Sequence, residues 1–163
     1  MANFFHENSK IASNVIIEIS TRGTNTLIGK GSVIDDFVKI KHVGGAGDVC
    51  IGENVFINSF TIIYSGNGVK IGNNTAIGPN CSIVPINHKY NDRNKLISEQ
   101  RFAESKGGVV IEEDVWIGAG VTILDGAFIR KGAVIGAGSL VNTEIEQYSI
   151  NVGSPCRIIG HRK

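Results

Sequence analysis

Among these 163 residues, four histidines, three cysteines and a scatter of acids and amides are the side chains fit for chemistry. His88 stands in the polar stretch VPINHKYNDRN. Imidazole titrates near pH 6.5, so it can take the proton from a hydroxyl as that hydroxyl begins to attack. The plainer reading is a solvated loop histidine. Asp92, Glu99, Glu104 and Glu112 are acids that can fix its tautomer, as can a main-chain carbonyl. Asn58, in FINSF, carries an amide that orients a hydroxyl or bonds the main chain of a tight corner. A three-histidine zinc centre drawn from His6, His42, His88 and His161 is the metal alternative.

The elements that position these groups follow from a repeat. From Ile111 the chain reads IEEDVW, IGAGVT, ILDGAF, IRKGAV, IGAGSL and VNTEIE, with Ile or Val returning at every sixth residue. The same frame takes in Ile11 and Ile17, then Ile28, Ile34 and Ile40, then Ile51, Ile57 and Ile63, then Ile71, Ile77 and Ile83. A period of six is neither that of a plain strand nor that of a helix, so each hexad is a short strand and a corner. Three corners close a triangle, and the recurrent isoleucines stack inside a prism at about 4.8 Å per coil. Six coils are expected, starting near Phe5, Ile28, Ile51, Ile71, Ile111 and Ile129. Small residues at the fifth place, such as Thr75, Cys81, Ala127, Ala133 and Ser139, fit where a corner leaves little volume. Second-place glycines, among them Gly72, Gly78 and Gly118, suit tight or left-handed backbone.

The insertions after Ile17, Ile40, Ile63 and Ile83 all follow the third corner, so they emerge along one edge. The longest, residues 84–110, is a protruding loop of the kind that carries function. Residues 146–163 are expected to cap the open end, and residues 1–163 to form one domain. On this frame His42 and His88 lie two coils apart, roughly 10 Å by strand spacing. Ligands at about 2 Å from zinc would need large loop bending, so no metal is expected.

Composition narrows the partners. With 25 Ile against 4 Leu the chain favours β-structure. Sixteen basic and 15 acidic residues, without a long run of one sign, leave no footprint for nucleic acid or membrane insertion. The start MANFFHENSK lacks the layout of a secretion signal, so a cytoplasmic location is expected. Cys50, Cys81 and Cys156 read as reduced, small buried residues.

NVFINSFTII, KIGNNTAIGPNCSI, the His88 loop, DVWIGAGVTI, AVIGAGSLV and VGSPCRII resemble the hexapeptide-repeat acyltransferases. The nearest likeness is to the galactoside and maltose O-acetyltransferases and to the polysaccharide O-acetyltransferases. The resemblance covers nearly the whole chain and implies an all-β, left-handed parallel β-helix. It further implies a homotrimer with active sites between subunits, His88 as catalytic base and acetyl-CoA as donor. Asn58 matches the acceptor-contacting asparagine, and Trp116 an active-site aromatic, its alternative being a half-buried packing residue. Gly118, Ala119, Ala137 and Gly138 fall where the family meets the coenzyme, and one of their amides suits a developing oxyanion. Glycine and alanine are equally what tight corners need. Arg157 matches a basic residue that meets the coenzyme phosphates, for which a guanidinium fork is well shaped.

Two departures matter. Asn142-Thr143-Glu144 replaces the usual Thr-Lys-Asp run, so Arg130, Lys131, Arg162 or Lys163 would have to replace the missing lysine. The repeat begins by about Phe5 or Ile11, so the helical segment that shapes the sugar site in the galactoside enzymes is expected to be missing, as is the acidic acceptor contact, whose place falls near Ser65-Gly66. The expectation is an acetyl-CoA-dependent O-acetyltransferase acting on a sugar hydroxyl by direct transfer, in surface-polysaccharide or nucleotide-sugar metabolism. An amino-sugar N-acetyltransferase is the alternative; a carbonic-anhydrase-like zinc enzyme and a non-catalytic scaffold are lesser ones.

Overall fold

In the computed structural model, residues 3–163 are described; Met1 and Ala2, which open the expected domain, lie outside them. Each hexad forms a strand of two or three residues and then turns. One coil runs through Val109–Ile111, Trp116–Ile117 and Thr122–Leu124, one strand on each of three faces. The strands stack into sheets of seven, eight and six members, parallel except for the last strand of the eight, a parallel β-helix of triangular section. We call the edge between the first and second faces the first ridge, and the next two the second and third.

The stacking register is that of the isoleucines. On the first face Ile28, Ile51, Ile71, Ile111 and Ile129 are successive partners. On the second the column is Ile34, Ile57, Ile77, Ile117 and Ile135. On the third it is Ile40, Ile63, Ile83 and Ile123, continued by Val141. All of these are buried, and each such side chain contributes about 1.5–3 kcal/mol on leaving water. The fifth-place residues fill the corners, and their polar atoms are used: Thr75 donates to the Glu112 carbonyl at 3.1 Å and Ser139 to the Gly136 carbonyl at 2.7 Å.

The corners divide glycine's two uses between two places. Left-handed backbone falls at the fourth place, in Asn54, Asn74, Asp114, Gly120 and Gly138, and even in Phe37 and Phe60. The second-place glycines answer to close approach instead. A Cβ on Gly78 would lie 2.7 Å from the Ala119 nitrogen, and one on Gly118 would lie 2.6 Å from the Ala137 nitrogen.

All four insertions leave from the third ridge. Val84 still pairs with Leu124, and Val109 with Val69, so the long excursion proper is residues 85–108. It holds a single turn of helix, Ile97–Gln100, in an otherwise all-β chain. The repeat continues past residue 146, because Ser149–Val152 adds a rung to the second face. Arg157–His161 then folds back antiparallel on that strand, and this hairpin closes the column. No helix among the described residues is long and apolar enough to cross a membrane.

Candidate active site

His88 lies on the outgoing arm of the long loop. That arm is tied to the returning one on both sides of the histidine: the Lys89 N–H donates to the Arg101 carbonyl at 3.0 Å, and the Ala103 N–H to the Asn87 carbonyl at 2.8 Å. The imidazole rests on the Phe102 ring, with centroids 4.9 Å apart. It is exposed and makes no side-chain hydrogen bond among the described residues. A groove of about 470 Å³ opens beside it, walled by residues 87–91 and 103–106 and floored by Asp125. Farther out, the Gln100 amide bonds Asp92 and Lys95, and the Glu99 carboxylate accepts the Leu96 N–H at 3.2 Å, which ties the loop into one piece.

Of the four acids that could orient His88, three are engaged elsewhere. Asp92 pairs with Lys95, Glu99 closes the helical turn, and Glu112 accepts the Lys131 N–H at 2.7 Å. Glu104 alone shares the groove with His88.

The other candidates gather on the second ridge and the face beside it. Asn58 and the Gly118, Ala119, Ala137 and Gly138 group occupy one corner type, the coil of Gly78-Pro79 lying between Asn58 and Gly118. The Asn58 amide donates to the Ile77 carbonyl at 2.7 Å, a bond that secures the corner. Gly118 is buried between coils, whereas Ala119, Ala137 and Gly138 are exposed. The main-chain N–H groups of Ala119 and Ala137 have no protein acceptor among the described residues. Pro79, at the same corner place one coil earlier, has no N–H at all, so stacking does not use that donor. The position is free to serve a ligand.

Trp116 points outward from the second face and is 59% exposed, so the packing alternative fails within this chain. Its rung neighbours are Ala76 and Val134. Arg157 starts the closing strand of the same face and donates to the Cys156 carbonyl at 2.9 Å. Three of the residues offered in place of the missing lysine lie against the first ridge and are already paired: Arg130 with Glu144 at 2.6 Å, Lys131 with Glu113 at 2.7 Å and Arg162 with Asp114 at 2.9 Å. Within one chain, therefore, His88 on the third ridge and the amide-bearing second ridge are separated by the width of a face. No second-ridge residue lines the His88 groove.

The histidine and cysteine alternatives find other work. His42 is buried, and its ring nitrogens meet the Thr24 hydroxyl at 2.8 Å and the Thr26 hydroxyl at 3.1 Å, so it is a satisfied core residue. Burial holds its pKa below the ordinary histidine value against the opposing fields of Asp48 and Glu18. Cys81 and Cys156 are buried free thiols whose pKa values burial pushes up, the reverse of an activated nucleophile.

Two acids escaped the sequence reading. Asp35 holds the same corner place as Asn58 one coil earlier, and its carboxylate accepts the Ser59 hydroxyl at 2.8 Å. That bond, with the Asp36 N–H, keeps its pKa below the usual carboxylate value. Its position after Ile34, matching Asn58 after Ile57, was the available signal. Asp125, in ILDGAF, carries no local signal in the hexad, and its carboxylate meets the returning arm of the long loop at Lys106 and Gly108.

A three-faced column of hexads with one long loop on a ridge defines a hexapeptide-repeat β-helix. Residues 108–143 match the family described as bacterial transferase hexapeptide (six repeats). The chain is similar to WbbJ of Escherichia coli K12, named for lipopolysaccharide biosynthesis O-acetyl transfer, with 34% identity over 143 residues, 84% of this chain and 69% of that protein. It is also similar to a galactoside O-acetyltransferase of Lactococcus lactis, 34% identical over 114 residues, 70% of this chain. The match spans 53% of that relative's length. A structure of AntD, an N-acyltransferase from Bacillus cereus in complex with dTDP-4-amino-4,6-dideoxyglucose and coenzyme A, shares the fold with a TM-score of 0.82, 24% identity and coverage of 99% of this chain and 84% of that one. The chain belongs to the hexapeptide-repeat acyltransferases.

Proposed function

We propose that this protein is an acetyl-CoA-dependent O-acetyltransferase for a sugar hydroxyl on a surface-polysaccharide precursor or nucleotide sugar. The observation that carries the reading is the exposed, unbonded His88 imidazole beside a groove wide enough for an acceptor. As the acceptor oxygen attacks the thioester carbonyl, His88 takes the hydroxyl proton and then returns it to the departing thiolate. No group on the enzyme is acylated, in keeping with the buried, high-pKa thiols of Cys81 and Cys156.

The donor is acetyl-CoA, and the residues present suit it. The exposed amides of Ala119 and Ala137 repeat along the second ridge, in line with a long pantetheine arm, and one of them meets the carbonyl oxygen as charge develops. Arg157 supplies a guanidinium for phosphate at the end of that line, and Trp116 and Asn58 flank the acceptor end. Because one chain holds His88 and this ridge apart, the site is shared between copies of a homotrimer. Exposed Tyr90, Leu96 and Ile97 on the loop support that reading, being apolar surface placed to reach a neighbour.

The experiment is acetyl-CoA turnover against a panel of free sugars, nucleotide sugars and oligosaccharides, with the product treated with mild alkali. The expected result is CoA release matched by an alkali-labile acetyl ester on one saccharide class. An alkali-stable amide on an amino sugar would replace this reading with N-acetylation.

A further inference from the structure

We propose that Asp125 is a positioning residue for His88, a clamp at the root of the catalytic loop; this rests on the function proposed above. Asp125 follows the third-face strand Thr122–Leu124 and is 4% exposed. Its carboxylate accepts three N–H donors: the Gly108 main chain at 2.9 Å on one oxygen, and the Lys106 main chain at 2.9 Å and the Asn67 amide at 3.1 Å on the other. A buried carboxylate needs such donors, and bonds to an ionised acceptor are the strong ones. None of the three serves another coil's strand. Lys106 and Gly108 belong to the returning arm of the loop, and Asn67 to the ridge corner that the loop overhangs.

The clamp reaches the imidazole through bonded neighbours. The Gly126 N–H, next to Asp125, adds a fourth tie by donating to the Gly108 carbonyl at 2.7 Å. From the fixed segment 106–108 the returning arm runs back to Ala103, Phe102 and Arg101, which grip Asn87 and Lys89 and support the His88 ring. Asp125 also floors the groove that His88 borders, so loss of its acceptors loosens the wall and the base together. Asparagine is nearly isosteric but turns one acceptor into a donor facing an N–H, which makes Asp125→Asn the informative change.

The test combines kinetics with hydrogen exchange on full-length protein carrying Asp125→Asn or, as the milder variant, Asn67→Ala. Asp125→Asn should lower kcat about tenfold or more, with KM for acetyl-CoA within about twofold, since a base displaced by an ångström loses more than binding does. Amide exchange should quicken across residues 85–108 while the strand amides of Ala76–Ile77, Trp116–Ile117 and Val134–Ile135 stay protected, and Asn67→Ala should shift both readouts the same way but less. Unchanged kcat despite faster loop exchange would overturn the proposal, as would exchange quickening along the whole column or not at all. The His88→Ala variant, run alongside, separates the failures: if it keeps full turnover the functional reading falls, whereas the exchange result still judges the clamp.

Discussion

Replacing His88 with alanine should lower acetyl-CoA turnover in the presence of acceptor by about a hundredfold or more, the usual weight of a lost general base. Thermal unfolding should stay where it is. The side chain is exposed, makes no hydrogen bond among the described residues and rests on Phe102, so its removal opens no cavity and orphans no buried partner there. Steady-state kinetics and a melting curve on the same preparation check both halves. A scaffold that merely displays this surface would show neither a measurable turnover nor a change on mutation.

The second large effect concerns the ridge amides. Ala119→Pro removes one N–H and nothing else that the fold uses. The structure has run the control itself, because Pro79 follows Gly78 in the equivalent corner as Ala119 follows Gly118, and the coils stack on either side of it. The variant should therefore fold normally. Loss of the N–H leaves the thioester carbonyl oxygen unmet, at a cost of about 1–3 kcal/mol, so kcat/KM for acetyl-CoA should fall about fivefold to a hundredfold. Pro79→Ala, which adds an N–H one coil away, should leave the same constant within about twofold. Titrating initial rates against acetyl-CoA reads both variants.

Much of this architecture is written in the isoleucines, because a column stacked in register must repeat its core residue at a fixed interval. Ile57, Ile77 and Ile117 could be aligned by counting alone, and they are rung partners. The insertions were legible for the same reason: an interruption of the frame after Ile40 or Ile83 has only one ridge from which to leave. Local backbone was less legible. The frame could not tell that Gly78 is needed for contact with the next coil and Asn80 for left-handed turning, since both are matters of a neighbouring coil's atoms. The hairpin Arg157–His161 was invisible because it pairs antiparallel, outside the hexad rule. In the site, His88 stood out as a candidate base only through the family resemblance, since on its own it reads as a solvated loop histidine. The role of Asp125 depends on three donors brought together from Asn67, Lys106 and Gly108, which no local motif announces.

The central claim is that the His88 of one copy serves the coenzyme ridge of another, and subunit mixing tests it most directly. His88→Ala and Ala119→Pro chains, each impaired alone, are co-expressed with distinct tags and isolated as mixed assemblies. Every mixed trimeric ring has one interface in three that joins an intact His88 to an intact Ala119, so roughly a third of wild-type activity should return. Activity no higher than the average of the two parents would contradict the account and place both residues in a site within one chain.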